Sequence, residues 1–236
     1  GEISAALVTY RTAAELTPGC LLRMQRSGTL SFYAGERNEA LKVLERTVAT
    51  GLRSKLFDMY TLVLVALMRY DKRDSKGIKH ALDALNRQVE RVPDSLRLLR
   101  LQTAIQTLLA MQEKRSADAL TGARRLAADL DLPQADHEVA SLVIAVWVRL
   151  AAADLRLEEM NEMFQRLGMR YCNSKASTEV LVAMADGHEE TIQTLKDCHA
   201  RVFEIAETAM KQALRGNASG SVELLIQQGE STRNSK

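Results

Sequence analysis

Proline is nearly missing from this chain, with three in 236 residues, and aromatic residues make up only 4%. Scarce proline beside abundant Ala, Leu, Glu and Arg favours helix, and no stretch shows the period-two alternation of a half-buried strand. Cysteine is equally sparse. Cys20, Cys172 and Cys198 are an odd number with no pairing pattern, which points to free thiols in a reducing, cytoplasmic compartment. Long apolar runs are absent too. The longest, Thr61 to Met68, has eight residues, too few to cross a bilayer, and no signal peptide precedes it, so no membrane partner is expected. A large net charge is also lacking. The formal value of +2 argues against nucleic acid or an anionic membrane as the main partner.

The chain holds 46% hydrophobic and 26% charged residues, a balance that suits a folded chain and not a disordered one. The charge is unevenly placed. Residues 69–100 carry nine Lys/Arg against five acids, whereas residues 129–164 carry eight acids against two arginines. Such asymmetry marks solvated helix faces or a partner surface.

Helical periods run along most of the chain. The spacing predicts helices over 3–17, 20–33, 36–50, 55–70, 94–112, 116–130, 134–155, 157–168, 177–185, 188–214 and 221–228, with a frayed polar tail. The segment from Lys55 to Tyr70 is apolar almost all round, which implies burial on more than one side. The polar stretch Asp71 to Gly77 reads as a loop or an inter-helix extension. Ala81, Leu85 and Gln88 then continue a helical face that ends before Pro93.

One pattern recurs. Ala6, Tyr10 and Ala13 lie four and three residues apart, with Pro18 five further on. Ala40, Leu44 and Thr47 repeat that spacing 34 residues later, and Ala81, Leu85, Gln88 and Pro93 repeat it after 41, read as 34 plus a seven-residue insertion. Small and bulky side chains on one face let helix backbones approach around a single large group. Gly28 sits inside the preceding helix at a cost of about 1 kcal/mol relative to alanine. Gly35 permits a tight turn. A period of 34 residues with these positions resembles the tetratricopeptide repeat. The departures are Thr47 at a small position and Leu52 where proline would stand.

The resemblance covers residues 3–130 well and 134–168 loosely. It implies an all-α fold, a right-handed superhelix of antiparallel helical hairpins with a C-terminal capping helix region. The expected organisation is repeats over 1–168, a cap over 169–216, and a short helix and tail over 217–236. It also implies a groove lined by first helices that holds a peptide or partner protein, without catalysis. In bacteria such arrays occur fused behind phosphoacceptor receiver domains, and a chain that starts inside a repeat suits such a fusion. The lining side chains would be Gln25, Arg26, Thr29, Tyr33, Arg97 and Arg100. Arg26, Arg97 and Arg100 would offer forked donors to carboxylates of the partner. The lysine and asparagine set with which one subclass clamps a C-terminal carboxylate is absent.

Catalytic and metal patterns are missing. His80, His137, His188 and His199 have no second His or Cys three or four residues away. Adjacent Cys198 and His199 point about 100° apart on a helix. Glu158 and Glu162 share a face but lack a matching histidine. The run Gly216 to Gly220 has neither a preceding strand nor a following lysine, so it is no phosphate loop. No cofactor, metal or enzymatic activity is expected. The chain reads as a non-catalytic protein-interaction module, in one setting the output region of a signalling protein. Self-association through 134–168 or 188–214 is the second reading, and nucleic-acid binding through basic residues 69–100 the third.

Overall fold

The computed structural model describes residues 3–132, 137–154, 175–185 and 189–214, together with positions 158–159, 162–163 and 167. Ten α-helices and no strand occur among them: α1 (Ile3–Leu16), α2 (Leu21–Tyr33), α3 (Arg37–Gly51), α4 (Tyr60–Asp71), α5 (Ser75–Val89), α6 (Leu96–Gln112), α7 (Ser116–Ala128), α8 (His137–Asp154), α9 (Lys175–Ala185) and α10 (Glu189–Leu214). A short 3-10 turn, Asp129–Asp131, follows α7. The protein is therefore all-α, as its periodicity indicates. No described helix is long and apolar enough to cross a membrane. The chain divides into two compact units, residues 1–157 and 158–236. The second contains α9 packed on α10. The expected helices over most of 157–168 and over 221–228, the helix stop at Gly216 and Asn217, and Cys172 lie outside the described residues.

Within the first unit α2, α4, α6 and α8 form a row, each packed on the next, and α3, α5 and α7 each connect consecutive members of that row. The core follows from this arrangement. Helix α4 contacts α2, α3, α5 and α6, and every residue from Tyr60 to Met68 is buried, as its all-round apolar sequence requires. Trp147 on α8 is buried, and its indole N–H donates to the Ala123 carbonyl of α7 at 3.1 Å. Gly28 on α2 faces Leu44 on α3, where a Cβ would run into the leucine side chain. The glycine thus lets α2 and α3 approach closely.

Three turns are built alike. At the end of α2, Ala34, Gly35 and Glu36 donate to Leu30, Phe32 and Ser31. At the end of α4, Lys72, Arg73 and Asp74 donate to Met68, Tyr70 and Arg69. At the end of α6, Glu113, Lys114 and Arg115 donate to Leu109, Met111 and Ala110. This is the double bond pattern that closes a helix around one left-handed residue. That residue is Gly35, Arg73 or Lys114, at φ of +83°, +57° and +59°. The third residue of each turn caps the next helix, which therefore starts without delay.

The turns correct the repeat register. Five residues beyond each left-handed position stand Ala40, Ile78 and Ala119, all fully buried. Ile78, not Ala81, is the counterpart of Ala40. The polar stretch expected as a loop over 71–77 contracts to 72–74, because the Asp74 carboxylate accepts the Gly77 N–H at 2.9 Å and starts α5 at Ser75. The extra length lies instead between hairpins. Residues 52–59 join α3 to α4, and there Ser54 Oγ accepts the Leu56 N–H and Asp58 Oδ1 accepts the Tyr60 N–H, both at 3.1 Å. Local bonds of this kind compete with helix, so α4 begins at Tyr60 and not at Lys55.

The turns predict opposite responses to substitution. Gly35→Ala should lower stability by about 1–2 kcal/mol, the strain of an L-residue in the left-handed region. Arg73→Gly and Lys114→Gly should each raise it by about 0.5–1 kcal/mol, because relief of that strain exceeds the added freedom of the unfolded chain. Urea denaturation measures all three, and a loss at both Arg73 and Lys114 would contradict the turn assignment. A second expectation concerns acid. The Gly77 N–H, with help from Arg69, holds the Asp74 carboxyl below its usual range. A depressed folded value means stability that is present at neutral pH and is lost as pH falls through that value. Asp74→Ala should therefore cost about 1 kcal/mol at neutral pH, and the gap between the two proteins should close on acidification. A gap that stays constant down to strongly acidic pH would reject the cap as its origin.

Candidate functional site

The amino-terminal ends of α4, α6 and α8 converge on one guanidinium. Arg97, in the first turn of α6, donates from Nε to Glu138 Oε1 at 2.8 Å and from Nη2 to Glu138 Oε2 at 2.6 Å. The same Nη2 reaches Asp58 Oδ1 at 2.7 Å. Glu138 lies in the first turn of α8, and Asp58 just before α4. Each acid thus sits near the positive end of a helix dipole while pairing with the arginine. Hydrogen bonds donated to Glu138 hold the guanidinium above its ordinary range. Arg97 and Asp58 are half exposed, so water weakens the attraction and its worth in stability is about 0–1 kcal/mol. Its clearer effect is geometric: two parallel bonds to Glu138 fix the plane of the guanidinium.

Gln25 holds the same loop from the other side. It is buried on α2; its Nε2 donates to the Leu56 carbonyl at 3.0 Å and its Oε1 accepts the Asp58 N–H at 2.7 Å. One side chain thereby satisfies two backbone groups of the connection 52–59. Gln25 acts as a brace beneath the surface, where the sequence suggests a lining position.

The remaining expected positions differ in surroundings. Arg26 is exposed and Thr29 half-buried. Tyr33 is half-buried and stands edge-on to Phe32, with ring centres 5.5 Å apart. Tyr60 is buried on α4. Burial pushes both phenols up, Tyr60 further than Tyr33, and the charges of Glu138 and Asp58 act on Tyr33 in the same direction. Gln25, Tyr33 and Arg97 are thus gathered around Asp58. Arg100 belongs elsewhere: its side chain is mostly buried and its Nε donates to Asp129 Oδ2 at 2.9 Å. Arg97 and Arg100 therefore direct their forks to acids of their own chain, because the hairpin stacking carries Glu138 and Asp129 onto α6.

Asp58, Tyr60 and Glu138 escape a reading of the sequence. Glu138 is 41 residues from Arg97, and no local spacing announces the pair. A second long-range bridge has the same character. Arg149 on α8, buried, donates from Nε and Nη2 to the two oxygens of Asp71 at the end of α4, at 3.0 and 2.9 Å. The row is thus tied by ion pairs near both ends of α4.

Chemically, the cluster offers fixed charges and fixed hydrogen-bonding groups. Among the described residues no group of three His, Cys, Asp or Glu side chains is placed to hold a metal ion. Cys20 is a free thiol, half-buried just before α2.

Replacing Gln25 by leucine should leave the Leu56 carbonyl and the Asp58 N–H without their partner. The expected cost is about 2–3 kcal/mol, the desolvation of buried polar groups. Amide exchange should speed up at Asp58 before it does in the middle of α4, and unchanged exchange there would show that the amide does not brace the loop.

No protein family, no curated protein and no solved structure matches this chain, so the functional reading of the cluster rests on the geometry of the chain itself.

Proposed function

We propose that the first unit is a non-catalytic protein-interaction module. In this reading it is a right-handed superhelix of the tetratricopeptide kind whose row α2, α4, α6 and α8 meets a peptide or partner protein, as in the output region of a signalling protein. The observation that carries the reading is the pre-set edge of that row. Leu22, Leu56 and Leu96 expose 48%, 60% and 56% of their surface. They flank groups that are already immobilised: Gln25 bonded to residues 56 and 58, and Arg97 between Asp58 and Glu138. Apolar anchors beside ordered polar groups are the ingredients of a protein interface. Groups ordered before the encounter lose little further freedom on binding. The repeated hairpin turns support the superhelical form.

A photo-crosslinking residue at Thr29 or Leu96, compared with one at exposed Asp83 on α5, tests this. The expected product is a discrete protein adduct from the first two positions and none from Asp83. Adducts of the same pattern from all three would remove the assigned face. Adducts sensitive to nuclease would favour nucleic acid, and adducts at twice the chain mass would favour self-association.

A further inference from the structure

The partner's chemistry follows from the charges on the α2 side of that edge. Arg23, Arg26, Arg53 and Lys55 are all exposed. Arg23 donates to the Thr17 hydroxyl at 2.7 Å and to the Ala13 carbonyl at 3.4 Å, and has no carboxylate partner among the described residues. Arg26, Arg53 and Lys55 likewise have none. Several other cations of the unit do pair with acids of the chain: Arg11 with Glu36, Arg69 with Glu45 and Asp74, Lys79 with Glu113, Arg149 with Asp71. The one acid within the connection 52–59, Asp58, is engaged by Arg97.

Arg26, Arg53 and Lys55 are brought together by the Gln25 brace, whereas Arg23 turns toward α1. Leu22 lies three residues before Gln25 on α2, with Arg23 and Arg26 beside them. The bonds from Gln25 to the Leu56 carbonyl and the Asp58 N–H seat the connection 52–59, and with it Lys55 and Arg53, against that stretch of helix. Two exposed leucines, Leu22 and Leu56, therefore sit among three positive charges, Arg26, Arg53 and Lys55, that have no carboxylate partner among the described residues.

We infer that this surface docks an acidic amphipathic helix of a partner protein. Its leucine-type side chains would cover Leu22 and Leu56, and its carboxylates would pair with Arg26, Lys55 and Arg53. Each half of the match needs the other. Two leucines bury too little area to hold a partner alone. Exposed charge pairs without an apolar centre are individually weak. A helix in a groove reads such a surface through anchors on successive turns. The arginines offer forked contacts to carboxylates, and Lys55 a point charge. This assignment rests on the reading of the first unit as a protein-interaction module and specifies what that module recognises.

The test uses the full chain and a fluorescein-labelled helical peptide of about sixteen residues, with leucines at helical spacing and glutamates elsewhere. Fluorescence anisotropy at low salt should show saturable binding that weakens as salt rises. Arg26→Glu combined with Lys55→Glu should weaken binding about tenfold or more, as loss and reversal of complementary charge does. Leu22→Ser with Leu56→Ser should weaken it as well. Lys42→Glu, an exposed reversal on α3, should bind like the parent, and the same peptide with lysine for glutamate should not bind. All these positions are exposed, and unchanged circular dichroism and melting temperature will separate lost binding from lost folding. Absence of binding at low salt, or equal weakening by Lys42→Glu, would overturn the inference. So would sedimentation with phosphatidylserine vesicles while the peptide fails to bind, which would assign the patch to a membrane surface. If the peptide fails while a crosslinker at Thr29 still captures a protein, the interaction module stands and the acidic helix falls.

Discussion

Each hairpin of the first unit depends on one residue held in the left-handed region. The three turns at Gly35, Arg73 and Lys114 leave no slack between helices, because the residue that closes one helix also caps the next. An antiparallel pair joined this tightly has one way to bury its apolar faces, against the neighbouring pair. The row of α2, α4, α6 and α8 follows from that restriction. A longer or looser turn would let the second helix of each pair rotate, and the fully buried positions at Ala40, Ile78 and Ala119 would lose their common register. The cost of left-handed backbone at an arginine and a lysine is accepted at two of the three turns, which shows how strongly the packing selects that geometry.

Much of this architecture can be read from residue order, and the limits have physical causes. Helical period is a local property, so the helices stand where their apolar stripes place them. Gly35 is legible because glycine is the residue that tolerates positive φ without strain. Arg73 and Lys114 occupy the same conformation and carry no such signature. The confusion of Ala81 with Ile78 arises in the same way. On α5 Ile78, Ala81 and Leu85 are all buried, so a stripe repeating every three or four residues supports two registers equally. Only the hydrogen bonds of the turn decide between them. The start of α4 is hidden for a different reason: Lys55 to Met59 have helical composition, but the Ser54 and Asp58 side chains offer their backbone another set of bonds.

The site was half visible. Arg97 and Arg100 stand out as forked donors on a first helix, and their residue types were enough to flag them. Their acceptors could not be flagged, since Glu138 and Asp129 lie 41 and 29 residues away and only the stacking of hairpins brings them near. Gln25 shows the converse. Its position on α2 suggests a lining role, yet the connection 52–59 has more length than a tight link needs and folds over it. Whether a polar side chain lines a surface or braces it from below depends on the loop above, and loop paths are the least local feature of a chain.

The uneven charge of the sequence takes on a different meaning once the pairs are known. The basic stretch 69–100 and the acidic stretch 129–164 are joined by several internal contacts. Arg97 meets Glu138, Arg100 meets Asp129, and the relation inverts where Arg149 of the acidic stretch meets Asp71 of the basic one. Four of the nine basic residues of 69–100, namely Arg69, Lys79, Arg97 and Arg100, are paired within the fold, which lowers the field that this segment presents to an approaching polyanion. Positive charge that lacks an internal carboxylate and stands beside exposed leucines lies further upstream, at Arg26, Arg53 and Lys55. Counting charges along the chain points to residues 69–100, whereas the coincidence of positive charge with exposed leucines points to the α2 side. It is that combination, at Leu22 and Leu56, that a partner would meet.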